Sequence, residues 1–404
     1  MSMLGRTFIS RCLFSLIAAK LDGSDRGQGH FGPLANMGLD TPLRADEANS
    51  ALNIDSLKLM SLAMDVSTLF QIPDSGLEDY LLRGQTIGDW VDVVMESRNS
   101  GAQALAFTSS GSTGEPVTYR HEWIDLLDEV RDLAPEFAAH LGQSIARVVV
   151  CVPTHHIYGF LFGIVLPAVL DLPVLDRPQA MLTAHSGRFS DGDLIVGFPW
   201  FWRALAQAGT QFSESCIGLS STGPLDADIT PRLKAKGLKA MIEIHGSSET
   251  AGIGYRSHSS DPYTLMNRWR VGPDKARLAR NRDLSDTVLL PDRFDWVDPR
   301  RYQLRGRLDQ AIQVAGYNVY PDRIAMQIAR HPDIDQAYVR LMRPGEGDRL
   351  KAYVVPSDED LPPAEVKKRL VKWCRASLTT AQMPAVITVG SALPMNSLGK
   401  PADW

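Results

Sequence analysis

A loop rich in serine, threonine and glycine is the feature of this 404-residue chain with the clearest chemical potential. It reads Phe-Thr-Ser-Ser-Gly-Ser-Thr-Gly-Glu-Pro over residues 107–116, between an apolar strand and a helical run that starts near Glu122. Backbone N–H groups in such a loop can approach an anion closely, and the hydroxyls of Ser110, Ser112 and Thr113 add donors. No Gly-Lys-Ser/Thr follows, which disfavours a Walker-type kinase or motor ATPase. A plain surface loop is the alternative for this segment taken alone.

Five further motifs follow this loop. They are Pro-Thr-His-His-Ile-Tyr-Gly at 153–159, Ser-Thr-Gly-Pro-Leu at 221–225, His-Gly-Ser-Ser-Glu-Thr at 245–250, a Gly-Arg-Leu-Asp segment with its continuation at 306–321, and Leu-Pro-Met-Asn-Ser-Leu-Gly-Lys at 393–400. Together with residues 109–116 they resemble the motifs of adenylate-forming enzymes, the superfamily of acyl-CoA ligases, peptide-synthetase adenylation domains and luciferases. Six motifs in the family's order do not arise by chance, and the chain is identified as a member of that superfamily.

The resemblance implies a reaction between ATP and a carboxylic acid, in which two anions must meet. Lys400 would bridge the carboxylate and phosphate oxygens and so lower their repulsion, the alternative being an ordinary solvated lysine. Glu249 would hold Mg²⁺ against the phosphates, as a hard carboxylate ligand does. His156 would line the acyl pocket or guard the thiol channel, unless it is a satisfied core histidine. These three are the expected catalytic residues, and Glu249 is also the expected metal ligand.

The resemblance also assigns nucleotide-binding residues. Ser248 would donate to the α-phosphate, and His245 would stack on adenine where the family usually has Tyr. Asp292, 14 residues before Gly306, would bind the ribose hydroxyls with help from Arg307; a charged loop residue is the alternative, because the usual Thr-Gly is missing before it. The expected set is Ser109, Ser110, Gly111, Ser112, Thr113, Gly114, Thr222, Gly223, His245, Gly246, Ser248, Asp292 and Arg307.

Asp309 would be the hinge about which the C-terminal part swings between adenylation and thiol transfer. Gln313 stands where the family's hinge strand often carries Lys, which puts the choice of thiol acceptor in doubt. The acceptor is therefore either CoA or the phosphopantetheine arm of a carrier protein.

Three consecutive segments, each with its own sequence pattern, must position these motifs. Residues 1–100 are predicted to form helices, with an amphipathic first helix over 8–21 and a helix capped by Asp55. Residues 101–305 alternate short apolar strands with helices, which predicts βαβ units and a buried, mostly parallel or mixed sheet, shortened for this superfamily. Residues 306–404 are predicted to form a small mobile α+β domain that carries Lys400. The expected fold class is α/β.

The net charge of −5 lies entirely in residues 51–100, where three basic side chains face eight acidic ones. The same stretch contains Asn-Ile-Asp-Ser-Leu at 53–57 and resembles an acyl carrier protein from its attachment site onward. The resemblance implies that Ser56 would carry phosphopantetheine, and acidic helices are what partner enzymes of carriers recognise. An unmodified helical segment that only supports the ligase is the alternative.

Other observations exclude whole classes of function. No segment has the excess of Lys and Arg that phosphate-backbone binding needs, so no nucleic acid partner is expected. No apolar run reaches the ~18 residues of a membrane span, and Arg11 and Lys20 interrupt the apolar start, which argues against a signal peptide. The four cysteines are widely spaced and form no CxxC pair, which favours a reducing, cytoplasmic location.

We therefore expect an ATP- and Mg²⁺-dependent carboxylic-acid ligase that forms an acyl-AMP and passes the acyl group to CoA or a pantetheinyl carrier. An aryl or a short-to-medium acyl acid is favoured. One alternative is a dedicated AMP-ligase, either self-loading or acting on a separate acyl carrier protein, in a polyketide, aryl-polyene or peptide pathway of specialised metabolism. Another is a non-catalytic nucleotide-binding module, against which Lys400, Glu249 and Arg307 together argue.

Overall fold

The structure is a computed structural model that describes residues 4–21, 37–43, 52, 54–109, 117–273, 275–307, 312–314, 317–343, 345–358, 360–392 and 404, without the side chains of Ser109 and Arg307. Two compact units make up the described residues, one that ends at Arg305 and one that begins at Gly306. In the described part of the chain, no helix is both long and apolar enough to cross a membrane.

Local capping signals set where the first helices begin. Asp55 accepts a hydrogen bond from the backbone N–H of Lys58, and Thr86 forms a reciprocal capping box with Asp89, as their side-chain oxygens allow. The α-helices of the described residues are α1 Arg6–Leu21, α2 Ser56–Leu69, α3 Glu78–Arg83, α4 Ile87–Asn99, α5 Trp123–Leu141, α6 Ile157–Phe160, α7 Leu166–Leu170, α8 Arg177–Ser186, α9 Pro199–Gln207, α10 Ile229–Lys234, α11 Pro321–Ile328 and α12 Pro363–Ser377, with a π-helical turn Leu161–Val165 and a 3₁₀ turn Ile72–Ser75.

The helices of the first hundred residues bury their apolar sides in the same core as the sheet that follows. Leu13 of α1, Leu62 of α2 and Trp90 of α4 are fully buried in one cluster with Val148 and Ile242. The opposite face of α2 exposes Leu57, Met60 and Met64. Because one apolar cluster contains both parts, the N-terminal helices stabilise the sheet and the sheet stabilises them.

The main sheet has nine strands in the order β13-β14-β9-β8-β7-β6-β5-β3-β4. Strands β4, β3, β5, β6 and β7 run parallel, as expected from the buried apolar runs, and β8, β9 and β14 add antiparallel pairs. The bounds are β3 Arg147–Val150, β4 Val174–Leu175, β5 Asp193–Gly197, β6 Ile217–Ser220, β7 Ala240–Ser247, β8 Ala251–Arg256, β9 Tyr263–Leu265, β13 Asp292–Asp298 and β14 Arg301–Arg307.

The strand before the serine-rich loop does not join this sheet. β1 Leu105–Ser109 pairs antiparallel with β2 Val117–His121, from Leu105 opposite His121 to Ser109 opposite Val117. The expectation that the first strand begins a series of βαβ units is therefore wrong, because the short connection of 110–116 favours a hairpin, whereas a parallel crossover needs a dozen residues or more. Another small sheet contains β10 Trp269–Val271, β11 Arg277–Arg280 and β12 Thr287–Leu289.

The C-terminal unit is α+β, as the sequence predicts. A hairpin of β15 Ile312–Val314 and β16 Tyr317–Val319 precedes a sheet of β17 Ile334–Leu341, β18 Leu350–Pro356 and β19 Val386–Val389. β17 and β18 are antiparallel and β19 is parallel to β18. Residues from α11, α12 and these strands share a core that includes Ile328, Val354 and Leu370.

We expect Leu62→Ala to lower the free energy of unfolding of the whole N-terminal unit by ~2–5 kcal/mol, because a cavity opens in the shared core. Met64→Ala on the exposed face of the same helix should change it by no more than ~0.5 kcal/mol. Urea unfolding, followed by tryptophan fluorescence and circular dichroism, measures both. Two separate transitions, with only the helical one shifted, would show that residues 1–100 fold on their own.

Candidate active site

Three of the six motifs, all within the described residues, lie at one edge of the main sheet. The neighbouring parallel strands β3, β5, β6 and β7 end at this edge, and the Pro153–Gly159, Ser221–Leu225 and His245–Thr250 motifs follow or close three of them. The Ser221 hydroxyl donates to the backbone oxygen of Ile244 at 2.9 Å, which joins the second of these motifs to β7. Ligands bind at the carboxyl ends of strands in open α/β sheets, so this edge is the candidate site.

Thr222 carries the signs of a ligand-binding position. Its backbone φ is +74°, a conformation that costs free energy for a β-branched residue. Its Oγ1 is buried and forms no hydrogen bond with any described residue. Buried hydroxyls are nearly always paired, so the Thr222 hydroxyl fits a group that a nucleotide would supply.

The turn that carries Ser248 and Glu249 is built from residues at its base. Gly246 lies opposite Gly252 in the β7–β8 pairing, and a Cβ at Gly246 would clash with the backbone oxygen of Ala251. The hydroxyls of Ser247 and Thr250 lie 3.0 Å apart and hydrogen-bond each other across the turn. Gly246 is therefore required for a tight hairpin, and Ser248 and Glu249 occupy its tip.

His121, at the end of β2, holds this turn from the other side. Its Nε2 donates to the backbone oxygen of Ser248 at 2.8 Å. Burial lowers the pKa of His121 to about 4, so the ring is neutral near pH 7 and Nε2 carries its single proton. The hairpin of β1 and β2, whose strands flank the serine-rich loop in the sequence, is thus bonded to the residue that precedes Glu249.

A buried ion pair fixes the other end of the turn. Glu129 of α5 and Arg268 pair at 3.0 Å, with side chains 0% and 6% exposed. Glu129 also accepts from the backbone N–H of Gly252 at 2.8 Å, and Arg268 donates to the backbone oxygen of Thr250 at 2.8 Å. Burial raises the pKa of Glu129 and the guanidinium of Arg268 opposes that rise. The pair therefore connects α5 to Thr250 and Gly252. These two residues flank Ala251, whose φ is +58°.

His245 and Asp292 meet in a cluster of aromatic rings. Nε2 of His245 lies 3.0 Å from Oδ2 of Asp292, and Nδ1 lies 2.9 Å from the hydroxyl of Tyr302. The rings of Tyr263 and Phe294 lie 5.6 and 5.5 Å from the imidazole. The structure thus brings two expected nucleotide-binding residues into direct contact, and stacking of His245 on adenine stays a prediction.

The His-Ile-Tyr-Gly motif begins a helix that lies across the strand ends. Gly159 packs so closely on the backbone of Pro153 that a Cβ there would clash with its oxygen. The Tyr158 hydroxyl lies 2.9 Å from the backbone oxygens of both Gly197 and Leu219, at the ends of β5 and β6. Burial lowers the pKa of His156 to about 4, and nearby Arg177 adds to the effect, so His156 is uncharged near pH 7.

Helix α1 fixes the loop before His156, a contact that the sequence did not reveal. The Ser15 hydroxyl accepts from the backbone N–H of Thr154 at 3.0 Å and lies 2.9 Å from Nδ1 of His155. Arg11 of the same helix pairs with Asp176 at 3.1 Å. His155 is therefore bonded to α1.

Several expected residues lie outside the described residues. These are Ser110, Gly111, Ser112, Thr113 and Gly114 of the serine-rich loop, the hinge residue Asp309 and the lysine Lys400, together with the side chains of Ser109 and Arg307. Their roles stay predictions. Gly223, which is described, follows Thr222 in the loop after β6.

The described carboxylates suit a magnesium ion that arrives with phosphates. No group of three or more His, Cys, Asp and Glu side chains that could hold a metal occurs within the described ranges. Mg²⁺ needs only one or two protein carboxylates when phosphate oxygens and water complete its octahedron. Glu249, at the tip of the turn, provides one such carboxylate.

Sequence reasoning missed Glu129, Arg268 and His121. Glu129 had a signal: it lies among Leu126, Val130 and Leu133 on the apolar face of α5, where a solvated carboxylate does not belong. Arg268 and His121 stand in short segments with no periodic pattern, and only the pairing of distant strands shows their roles.

A nucleotide-type site at the carboxyl edge of a mixed sheet, followed by a separate α+β unit, defines the class of adenylate-forming enzymes. Residues 324–400 match the family described as AMP-binding enzyme C-terminal domain. The chain is 33% identical over 394 residues to a 4-coumarate–CoA ligase from Halorhodospira halophila, with 97% of each chain covered. It is 34% identical over 410 residues to a 4-coumarate–CoA ligase from Rhodobacter capsulatus, with 98% of this chain and all of the relative covered.

A solved structure of an amide bond synthetase from Marinactinospora thermotolerans has the same fold. The TM-score is 0.57 at 18% identity, over 73% of this chain and 67% of that one. The chain belongs to the AMP-binding superfamily of acyl- and aryl-CoA ligases, which confirms the resemblance stated above. It is an ATP- and Mg²⁺-dependent, adenylate-forming acid–thiol ligase. No comparison tests the modification of Ser56, which stays a prediction.

We expect Glu129→Gln to lower the free energy of unfolding by ~3–5 kcal/mol, because it leaves the buried charge of Arg268 unpaired. Arg131→Met, which removes an exposed partner of Asp128 on the same helix, should cost less than ~1 kcal/mol. Urea unfolding measures both.

The double variant Glu129→Leu with Arg268→Met separates stability from positioning. It should regain much of the stability lost in Glu129→Gln, since no buried charge remains, yet show reduced acid-dependent pyrophosphate exchange, since the turn has lost its anchor. Full exchange in a stable double variant would contradict a positioning role for the pair.

Proposed function

We propose that this enzyme activates 4-coumarate or a closely related hydroxycinnamic acid and releases it as the CoA thioester. The observation that carries the proposal is the similarity, over nearly the whole chain, to proteins named 4-coumarate–CoA ligase. The proposal narrows the expected range of aryl and short-to-medium acyl acids to aryl acids.

In the first step a carboxylate oxygen of the acid attacks the α-phosphorus of ATP. An acyl–phosphate bond forms, the bond between the α-phosphorus and the bridging oxygen breaks, and pyrophosphate leaves. Lys400 neutralises charge between the two anions, and Ser248 donates to the α-phosphate. Glu249 would hold Mg²⁺, which would supply positive charge against the phosphates. His121, Glu129 and Arg268 support this step because their contacts fix the turn that holds Ser248 and Glu249.

The nucleotide lies along the edge formed by the loops after β6 and β7. The N–H groups and hydroxyls of residues 109–114 bind the phosphates, Thr222 and Gly223 contact the adenine side, and Gly246 allows close approach of the backbone. Asp292 and Arg307 bind the ribose. The unpaired hydroxyl of Thr222 and the nearly buried carboxylate of Asp292 support this arrangement.

The acid occupies the space beside His156. The neutral imidazole of His156 suits an uncharged ring better than a second carboxylate. A phenolic ring fits because its body is apolar and its single hydroxyl needs one partner.

In the second step the sulfur of CoA attacks the acyl carbon, a thioester forms and AMP leaves. Before this step the C-terminal unit rotates about Asp309. The rotation removes Lys400 from the site and brings in the part of the unit that supports thiol transfer. The thiol of a carrier protein is the alternative acceptor. Ser56 is exposed at the start of α2, where a modifying enzyme could reach it, but the other face of α2 is buried in the ligase core.

Thioester formation from a panel of acids tests the substrate. We expect kcat/KM for 4-coumarate with CoA to exceed that for octanoate by at least ~100-fold, because a site that hydrogen-bonds a substrate hydroxyl rejects analogues that lack it. Cinnamate, which lacks only that hydroxyl, is the matched control and should fall between them. Equal or faster turnover of octanoate would contradict an aryl substrate.

The same assay separates the thiol acceptors. Ser56→Ala should leave CoA thioester formation unchanged, because Ser56, the first residue of α2, is exposed and lies outside the proposed site. Loss of product in that variant, or product only with a pantetheinyl carrier protein, would instead support the carrier-loading alternative.

We expect Lys400→Ala to bind ATP normally but to lose acid-dependent pyrophosphate exchange by ~100-fold or more, as removal of a preorganised transition-state charge does. Lys367→Ala, an exposed lysine on α12, is the matched control and should exchange like the unaltered enzyme. Unchanged exchange in Lys400→Ala would refute the proposed role of the lysine.

A further inference from the structure

The imidazole of His245 is held at both of its nitrogens. Nδ1 lies 2.9 Å from the Tyr302 hydroxyl and Nε2 lies 3.0 Å from Oδ2 of Asp292. The side chains of His245 and Asp292 are each only 10% exposed. A ring with two such partners cannot rotate freely about its side-chain bonds, so its position is set by the two groups.

The chemistry of the partners sets the direction of the bond to Asp292. A carboxylate oxygen accepts, so Nε2 of His245 carries a proton and donates to Oδ2 of Asp292. A hydroxyl can donate or accept, so Tyr302 can pair with Nδ1 of His245 in either direction. His245 therefore links Tyr302 to Asp292 through its two ring nitrogens.

The backbone leaves room for this series. Gly254 on β8 lies directly opposite His245 on β7. A Cβ at Gly254 would stand 2.5 Å from the hydroxyl of Tyr302 and 2.6 Å from the backbone oxygen of Thr264. Tyr302 is fully buried, so its hydroxyl reaches His245 only because residue 254 has no side chain.

The bond to His245 leaves Asp292 with one oxygen for a ligand. Oδ2 is engaged, while Oδ1 has no hydrogen-bond partner among the described side chains. A carboxylate that presents one fixed oxygen in a nearly buried place binds a hydroxyl at a defined point and loses much of its affinity when that hydroxyl is missing.

We propose that His245 is a positioning residue that holds Asp292 so that Oδ1 selects a ribose over a deoxyribose. The inference rests on the proposed function in one respect, the contact of Asp292 with the ribose. In this proposal His245 does not contact the sugar; it influences which nucleotide sugar binds by holding Asp292 in place.

Equilibrium binding of AMP, 2′-deoxy-AMP and 3′-deoxy-AMP by calorimetry tests the proposal without any acid substrate. The unaltered enzyme should bind AMP more tightly than at least one deoxy analogue. His245→Phe, which keeps a ring but has no donor, should reduce that preference by ~10-fold, and Tyr302→Phe by ~3–10-fold. His245→Gln, whose amide can still donate to Asp292, should retain most of it.

Tyr263→Phe is the matched control. It removes a hydroxyl from the ring stacked on Tyr302 at 5.7 Å, in the same aromatic cluster, without touching either nitrogen of His245. The preference should stay unchanged in this variant, while a loss equal to that of Tyr302→Phe would assign the effect to packing and overturn the proposal.

Asp292→Asn distinguishes the contact of Asp292 with the ribose from the positioning of Asp292 by His245. If it leaves the preference for AMP intact, Asp292 does not bind the ribose and that part of the proposed function fails. If it abolishes the preference while His245→Phe keeps it, Asp292 binds the ribose without help and the positioning role is wrong. Loss of preference in Asp292→Asn, His245→Phe and Tyr302→Phe, with His245→Gln and Tyr263→Phe unaffected, establishes it.

Discussion

The buried ion pair of Glu129 and Arg268 is the interaction on which the candidate site depends. Two charges removed from water are stabilised by each other and by hydrogen bonds from the groups around them. Here the backbone groups of Gly252, Thr250 and Asp125 bond to Oε2 of Glu129 and to the two terminal nitrogens of Arg268, while Oε1 of Glu129 and Nε of Arg268 have no hydrogen-bond partner among the described residues. The turn that carries Glu249 is therefore held by buried groups. The same ion pair bonds this turn to α5, the helix after the serine-rich loop.

The site is assembled where the backbone is most constrained. Thr222 and Ala251 adopt left-handed conformations that their side chains disfavour, and Gly159 and Gly246 allow contacts that any Cβ would block. Such positions are retained only when the surrounding structure determines them. The polar groups around the candidate nucleotide site are thus oriented before any ligand binds, which lowers the cost of binding.

Local signals in the sequence predicted the fold class, the helix starts near residues 55 and 122, and the parallel half of the sheet. Asp55 caps its helix as expected, and the buried apolar runs became β3, β5, β6 and β7. The antiparallel half and the β1–β2 hairpin were not predicted, because their pairing depends on which distant strands meet. The motifs located Glu249, His245 and Asp292, but the bond between His245 and Asp292 joins residues 47 apart and leaves no local trace.

Helix α1 is bonded to a loop that lies about 140 positions further along the chain. During synthesis the residues of this helix leave the ribosome long before Thr154, His155 and Asp176, its polar partners. The helix packs on α2 and α4, whose apolar side chains share its core and are made soon after it, whereas its bonds to the distant loop form only later. The loop before His156 is consequently fixed only after the polypeptide has been made at least as far as Asp176.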